Sequence, residues 1–275
     1  MAVTAQQVNE LRNKTGAGLM DCKKALTEAN GDIDAAIDYL RKKGAKVAEL
    51  RAGRAASEGV VMAKTTADQQ RGVVVYLSCE TDFVAKNEDF RAFADQITDI
   101  ALHQQAADLD QLLAMSIDGT KIADKIQERV SAIGELITIA AFETLSGTSV
   151  VAYNHMGNKI GVLVALTQSG CDAVGKDVAM QIAAMNPIAL DAAGVSKEVL
   201  DREMAIAKEK ALASGKPENI IQKIAESAVN SYIKENTLLT QPFVKDGSKT
   251  VQQVLGEAAS GLTLTAFKRV SLGLK

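Results

Sequence analysis

Apolar residues recur along this chain with two spacings, and the change from one to the other marks out its parts. Over residues 1–44 the spacing is helical. Thr4 and Gln7 form a capping-box pattern ahead of Val8 and Leu11, and Gly16 follows as a stop. Cys22, Leu26 and Ala29 fall on one face of a second helix that Gly31 ends. Asp32 caps a third, whose Ile33, Ala36, Ile37 and Leu40 keep the i, i+3, i+4, i+7 spacing, with Gly44 expected to close it. Three helices this short bury only a small core, of the size found in ubiquitin-associated domains. Residues 45–57 are Ala-rich, carry Lys46, Arg51 and Arg54, and lack a bulky periodic face, so a partly helical linker is predicted.

Beyond residue 58 the pattern repeats itself. Gly72-Val-Val-Val-Tyr-Leu77 followed by Phe93-Ala-Asp-Gln-Ile97 parallels Gly161-Val-Leu-Val-Ala-Leu166 followed by Val178-Ala-Met-Gln-Ile182. Each half opens with a β-rich stretch, Gly59–Lys64 in one and Val150–His155 in the other. Polar turns at Asp68–Arg71 and Met156–Lys159 then lead to a Val-rich second strand and a helix. Two related α+β halves follow, each a small antiparallel sheet backed by helices, over 58–147 and over 148–195 with 236–275. The repeat is unequal: Gly72 to Phe93 spans 21 positions and Gly161 to Val178 spans 17. The surplus falls at Cys79–Asn87, a strand-to-helix corner, where an insertion reaches the surface.

Residues 196–235 interrupt the second half. Ser196 can cap a helix striped by Leu200, Met204, Ala207 and Ala211, and Gly215-Lys216-Pro217 breaks it. Ile221, Ile224, Ala225, Ala228 and Tyr232 stripe a second helix, so a protruding helical hairpin of coiled-coil type is predicted. The chain returns through Thr240–Lys245 to a Ser248-capped helix (Val251, Val254, Leu255, Ala258) and ends in an alternating strand at Leu262, Leu264 and Ala266.

Composition narrows the function. A net charge of −3, a pI near 5.6, 4% aromatic residues and no Trp argue against nucleic acid as a partner, because phosphate contact needs a basic face and base stacking needs rings. No apolar run approaches the roughly 18–20 residues that cross a bilayer, and the opening residues lack a basic and an apolar export region, so no membrane and a cytoplasmic location are expected. Three distant cysteines, Cys22, Cys79 and Cys171, read as reduced thiols and not as a disulfide framework or zinc site.

Enzymatic motifs fail one by one. Thr15-Gly-Ala-Gly-Leu-Met-Asp21 begins like a dinucleotide fingerprint, but Asp21 stands for the third glycine and no strand precedes it. Gly247-Ser-Lys-Thr250 echoes a phosphate loop, yet Ser248 separates glycine from lysine. The two histidines, His103 and His155, form no metal-binding spacing, and a Cys79/His155 pair lacks an orienting group and an oxyanion signature. No catalytic residue, metal ligand or cofactor is assigned. A protein partner is the better expectation, and three apolar spots could serve it. Phe83, in Thr81-Asp-Phe-Val84, either caps its own core with Asp82 capping the next helix, or stands out for a partner. Phe243 and Val244 after Pro242 are either a tucked loop anchor or an exposed patch. Leu19 and Met20 either begin the core of helix two or face outward from the first loop.

Six segments, in order, resemble the elongation factor Ts family: Thr15–Leu26, Glu28–Asp32, Thr81–Ala85, Asn158–Val162, Gly215–Pro217 and Gln241–Val244. Any one is weak; six in register cover nearly the whole chain. The resemblance implies a ubiquitin-associated-like domain, a two-part α+β core and a hairpin able to form a homodimer. It also implies a non-enzymatic exchange factor for elongation factor Tu, bound in its GDP and nucleotide-free states. Thr81, Asp82, Phe83 and Val84 would match the stretch that dislodges Mg²⁺ from that GTPase, with Phe83 wedged between its helices. His155 and the segment at Ile133-Gly134 would lie nearby, Val244 with Phe243 would supply a further contact, and Leu19 and Met20 would dock on the nucleotide domain. A binding or holdase module that releases no nucleotide is the alternative, and a Cys79 hydrolase a weaker third. Some members carry an additional C-terminal helical module; with the sequence ending at Lys275, its contacts are not expected here.

Overall fold

The N-terminal capping box closes as the pattern predicts. Thr4 Oγ1 accepts from Gln7 N at 3.2 Å and Gln7 Oε1 accepts from Thr4 N at 3.0 Å, opening α1 (Ala5–Thr15). With α2 (Leu19–Glu28) and α3 (Ile33–Arg51) it encloses a small core of Val8, Leu11, Cys22, Leu26, Ala36 and Leu40. The computed structural model describes residues 3–51 and 53–273. The first two positions of the expected N-terminal domain, position 52 of the expected linker and the last two positions of the second core half lie outside the described residues.

The first α+β half runs β1 (Glu58–Thr65), β2 (Arg71–Cys79), α4 (Asp82–Lys86), α5 (Glu88–His103), α6 (Leu109–Ala114), a two-rung hairpin of β3 (Ser116–Ile117) and β4 (Thr120–Lys121), α7 (Ile122–Ile133) and β5 (Thr138–Ser146). The second runs β6 (Ser149–Asn154), β7 (Ile160–Leu166), α8 (Asp172–Met185), α9 (Lys197–Ala213), α10 (Glu218–Asn236), β8 (Pro242–Phe243), β9 (Asp246–Thr250), α11 (Val251–Ala258) and β10 (Leu264–Ser271). The sheets share one antiparallel plan, β1-β2-β5 and β6-β7-β10, with the Val-rich strand central in each.

Both central strands are buried on two faces, which is why they read as continuous apolar runs. Alternate residues of β2 serve different cores. Val73, Val75 and Leu77 meet Phe90, Phe93 and Ile97 of α5 and Val130 of α7. Val74 and Tyr76 meet Leu163 and Ala165 of β7 and Val150 of β6. Strand β7 repeats this, sending Val162, Val164 and Leu166 against α8 and α11. The result is four layers, helices–sheet–sheet–helices. The two glycines that anchor the sequence repeat lie between the sheets. A Cβ on Gly72 would come within 2.7 Å of Leu163, and one on Gly161 within 2.8 Å of Val61. Each half thus gives up a side chain so that the other can approach.

Three expectations are corrected. Gly44 does not close the third helix: α3 continues to Arg51, so the first part of the expected linker is helical. Gly44 sits where α3 crosses α7, and a Cβ there would collide with the Gln127 carbonyl oxygen; it is a crossing-point glycine. The helix expected to be capped by Ser248 is capped by Thr250, whose Oγ1 accepts from Gln253 N, while Ser248 lies in β9. The final strand begins at Leu264 with a bulge before Ala266, and Leu262 is a buried residue ahead of it.

The hairpin α9–α10 starts at Ser196, whose Oγ accepts from Val199 N. Its helices pack on each other, and its base is tied to the core where Leu238 N and Leu239 N donate to the carbonyls of Ala189 and Leu190 at 3.0 Å. Ile206, Leu212 and Ile220 are exposed along it. No described helix is long and apolar enough to cross a membrane.

Candidate functional site

The surplus residues of the first half form α4, a single short helix between β2 and α5. Thr81 caps it, with Oγ1 accepting from Val84 N at 3.4 Å, and Asn87 both ends it and caps α5 by accepting from Phe90 N at 3.1 Å. A helix of five residues has one inward side. Ala85 is buried and Val84 packs on the core, which turns Phe83 outward. Phe83 is 83% exposed. Asp82 beside it accepts from Lys86 Nζ at 2.6 Å, and that bond holds its carboxyl below the usual aspartate range.

Two carboxylates fix the corner beneath the ring. Glu135 Oε2 accepts from the backbone N–H of Glu80 at 3.1 Å and of Thr81 at 3.0 Å, and Glu135 Oε1 accepts from Thr81 Oγ1 at 2.7 Å. Glu80 answers in the other direction: Oε1 accepts from Leu136 N at 2.7 Å and from Arg51 at 2.8 Å, and Oε2 accepts from Arg54 at 3.2 Å. Burial alone would raise the Glu80 carboxyl, but the hydrogen bonds from Arg51, Leu136 N and Arg54 outweigh it and hold the group below its ordinary value. Neither glutamate, nor either arginine, was picked out from sequence as a site residue. Only the placement of Glu80 directly before Thr81, and of Glu135 directly after Gly134, could have drawn attention to them.

A cleft of about 470 Å³ opens beside Phe83. Thr81, Val84 and Ile133 line it with the ring, and Gly16 of the α1–α2 loop forms another part of its wall. Ile133 is exposed at the end of α7, and Gly134 follows in the left-handed region that terminates the helix. Leu19 and Met20 begin α2 just beyond Gly16 and are 50% and 72% exposed, so the outward reading holds for them. His155 is exposed on the β6–β7 turn, its Nδ1 3.0 Å from Tyr153 Oη. That turn is tied to the first half by Arg91 of α5, which donates to the Gly157 carbonyl at 3.3 Å.

The pair at 243–244 divides. Val244 is 53% exposed, with its N–H held by the buried Gln181 Oε1 at 2.7 Å. Phe243 is only 5% exposed and packs in the second core with Leu238, Val251 and Leu255. As a partner-contact residue Phe243 is therefore corrected: it is the anchor that positions Val244. The reason is local: Phe243 ends β8 facing the second core, while Val244 opens the β8–β9 turn, where the chain leaves the core surface.

Cys79 is fully buried; burial first, and then the Glu135 charge, push its thiol up to about 12, and its Sγ donates to the Thr81 carbonyl. His155 bonds elsewhere, to Tyr153. The residues of the postulated nucleophile pair are thus engaged separately, and the thiol stays protonated at neutral pH.

Comparison with known proteins agrees on one family. The family model described as "Elongation factor TS" matches residues 80–274. An elongation factor Ts of Amoebophilus asiaticus is 54% identical over 99% of this chain and 100% of its own length. One from Christiangramia forsetii is 46% identical over 98% and 99%, and one from Alkalilimnicola ehrlichii 42% over 99% and 93%.

Proposed function

The chain belongs to the elongation factor Ts family of translation elongation factors, and from that premise we propose that it is the guanine-nucleotide exchange factor of elongation factor Tu, acting by insertion of Phe83. The observation that carries this reading is the exposed ring on a corner that is otherwise held firmly in place. An aromatic side chain left in water gains free energy by entering an apolar crevice of another protein, about 1.5–3 kcal/mol for a phenylalanine.

Linkage supplies the mechanism. A factor that binds the empty GTPase more tightly than the loaded one must weaken nucleotide affinity by the same ratio. The partner's Mg²⁺ neutralises the phosphate oxygens; displacing it leaves GDP held against uncompensated repulsion. Thr81–Val84 are the residues that perform the displacement in this reading. Phe83 alone accounts for about ten- to a hundredfold at roughly 1.4 kcal/mol per decade. The remaining coupling falls to Ile133, His155, Leu19, Met20 and Val244. No covalent bond changes, so the protein is not an enzyme in the chemical sense. Dimerisation through α9–α10 is a second part of the reading, supported by the exposed Ile206, Leu212 and Ile220.

The test is release of fluorescent GDP from elongation factor Tu. The parent protein accelerates it, and Phe83→Ala loses about ten- to a hundredfold of that acceleration. A parent that binds the GTPase without changing GDP release is a holdase, and a Phe83→Ala variant as fast as the parent removes the wedge.

A further inference from the structure

Helix α4 is too short to be stable by itself, because a single turn fixes several residues for very few hydrogen bonds. Its order must come from outside. Ala85 supplies part by burial, and the rest reaches it through Thr81. The Thr81 hydroxyl has one proton, and it is given to Glu135 Oε1 at 2.7 Å; its lone pairs are thereby turned toward Val84 N, the cap of α4. Glu135 also takes the N–H groups of residues 80 and 81, so all its described hydrogen bonds go to this one corner. Glu80 reciprocates by taking Leu136 N, and it carries the Arg51 and Arg54 guanidiniums from the end of α3 and just beyond. The corner that bears Phe83, the corner after α7 and the end of the N-terminal helices are thus held together at two crossed carboxylates.

We propose that Glu135 and Glu80 are positioning residues for nucleotide release: Glu135 orders the Thr81–Val84 turn so that the Phe83 ring is presented in one place, and Glu80 with Arg51 and Arg54 fixes that turn to the helices carrying Leu19 and Met20. The proposal deepens the exchange reading and rests on it. An ordered ring enters its crevice without first giving up conformational freedom, so breaking the clamp lowers the binding-competent fraction and raises the concentration of factor needed, while the release step within the complex is left alone.

The chain contains no Trp, so a Phe83→Trp substitution gives a single indole whose anisotropy decay, read in the free protein, reports the local order of the turn. Adding Glu135→Ala is expected to introduce a fast, large-amplitude component; Glu135→Gln, which keeps an acceptor but loses the charge, is expected to give a smaller one. With Phe83 intact, GDP release is then followed against factor concentration. Glu135→Ala should raise the half-saturating concentration about tenfold with the maximal rate unchanged, and Arg51→Ala with Arg54→Ala about threefold. An unchanged decay together with an unchanged half-saturation in Glu135→Ala overturns the proposal, as does a fall in maximal rate alone. Should Glu135→Ala fail to fold, Glu135→Gln, which keeps an acceptor for the Thr81 hydroxyl but turns its amide on the N–H groups of residues 80 and 81, is read by the same two criteria with smaller effects. If the parent releases no GDP the exchange reading fails, while the anisotropy arm, which needs no partner, still decides the clamp.

Discussion

The two halves of the core share strand order, burial pattern and a glycine at the same place in the central strand, yet they turn their main corner differently. After β7 the chain passes through Thr167–Cys171 straight into α8. After β2 it makes the extra turn α4 before α5, and that turn presents an exposed phenylalanine over two glutamates. The second half spends its own elaboration elsewhere, on the α9–α10 hairpin and on the β8–β9 turn with Val244. A duplicated scaffold thus supplies a core twice over, and its departures from symmetry carry the exposed apolar side chains Phe83, Ile206, Leu212, Ile220 and Val244. Each core can be repacked only at the expense of the fold, whereas the exposed side chain of Phe83 can change with little effect on it.

The sharpest break in this comparison is between two phenylalanines. Phe243→Ala should lower the free energy of unfolding by about 3–5 kcal/mol, because a buried ring leaves a cavity. Phe83→Ala should change it by less than about 0.5 kcal/mol, because the ring touches mostly water. Denaturant titrations of both variants decide it, and similar losses would contradict the division between core and corner. Next in size is the hairpin. Replacing residues 196–234 by a short flexible linker should leave GDP release within about twofold of the parent, since each hinge carbonyl bond at Ala189 and Leu190 remains possible. Light scattering then shows monomers if the hairpin dimerises the protein, and unchanged dimers place the interface elsewhere.

A smaller effect separates the corners by pH. The Glu80 carboxyl titrates lower in the folded protein than its ordinary value near 4.5. Its contribution to stability is therefore complete above about 4.5 and is lost as pH falls through the lower folded value. Glu80→Gln should flatten the acid limb of the stability profile in that range, and an unaltered limb would remove Glu80 as an ionised clamp. Smallest of all is the thiol beside it. Cys79, pushed up to about 12, should resist alkylation at pH 8 in the folded protein while Cys171, half-buried, reacts first. Cys79→Ser should leave GDP release unchanged; loss of activity there would revive a role for the sulfur.

Sequence periodicity was sufficient for α1, α2, the hairpin and the two Val-rich strands, because each is decided by nearest neighbours: capping boxes, stripes and continuous apolar runs. The repeat also located the surplus corner before any fold was known. Periodicity was silent on α6, α7 and β5, which complete the first half. Strand β5 is mostly half-buried at the edge of its sheet, so its alternation is weak. Gly44 misled for a physical reason: a glycine reads the same whether it ends a helix or lets another helix touch it, and only the position of Gln127 across the gap distinguishes the two.

What this sequence determined by itself is the elements decided by near neighbours, among them α1, α2, the hairpin and the two Val-rich strands, together with the α+β class and, through six ordered motifs, the family. The tertiary structure alone decided which of two adjacent residues faces outward, as at Phe243 and Val244. It alone brought Glu135 to Thr81 and Arg51 to Glu80, pairs separated by dozens of residues. Hydrogen bonds between distant carboxylates and backbone N–H groups leave no periodic trace, because they depend on where whole strands and helices come to rest.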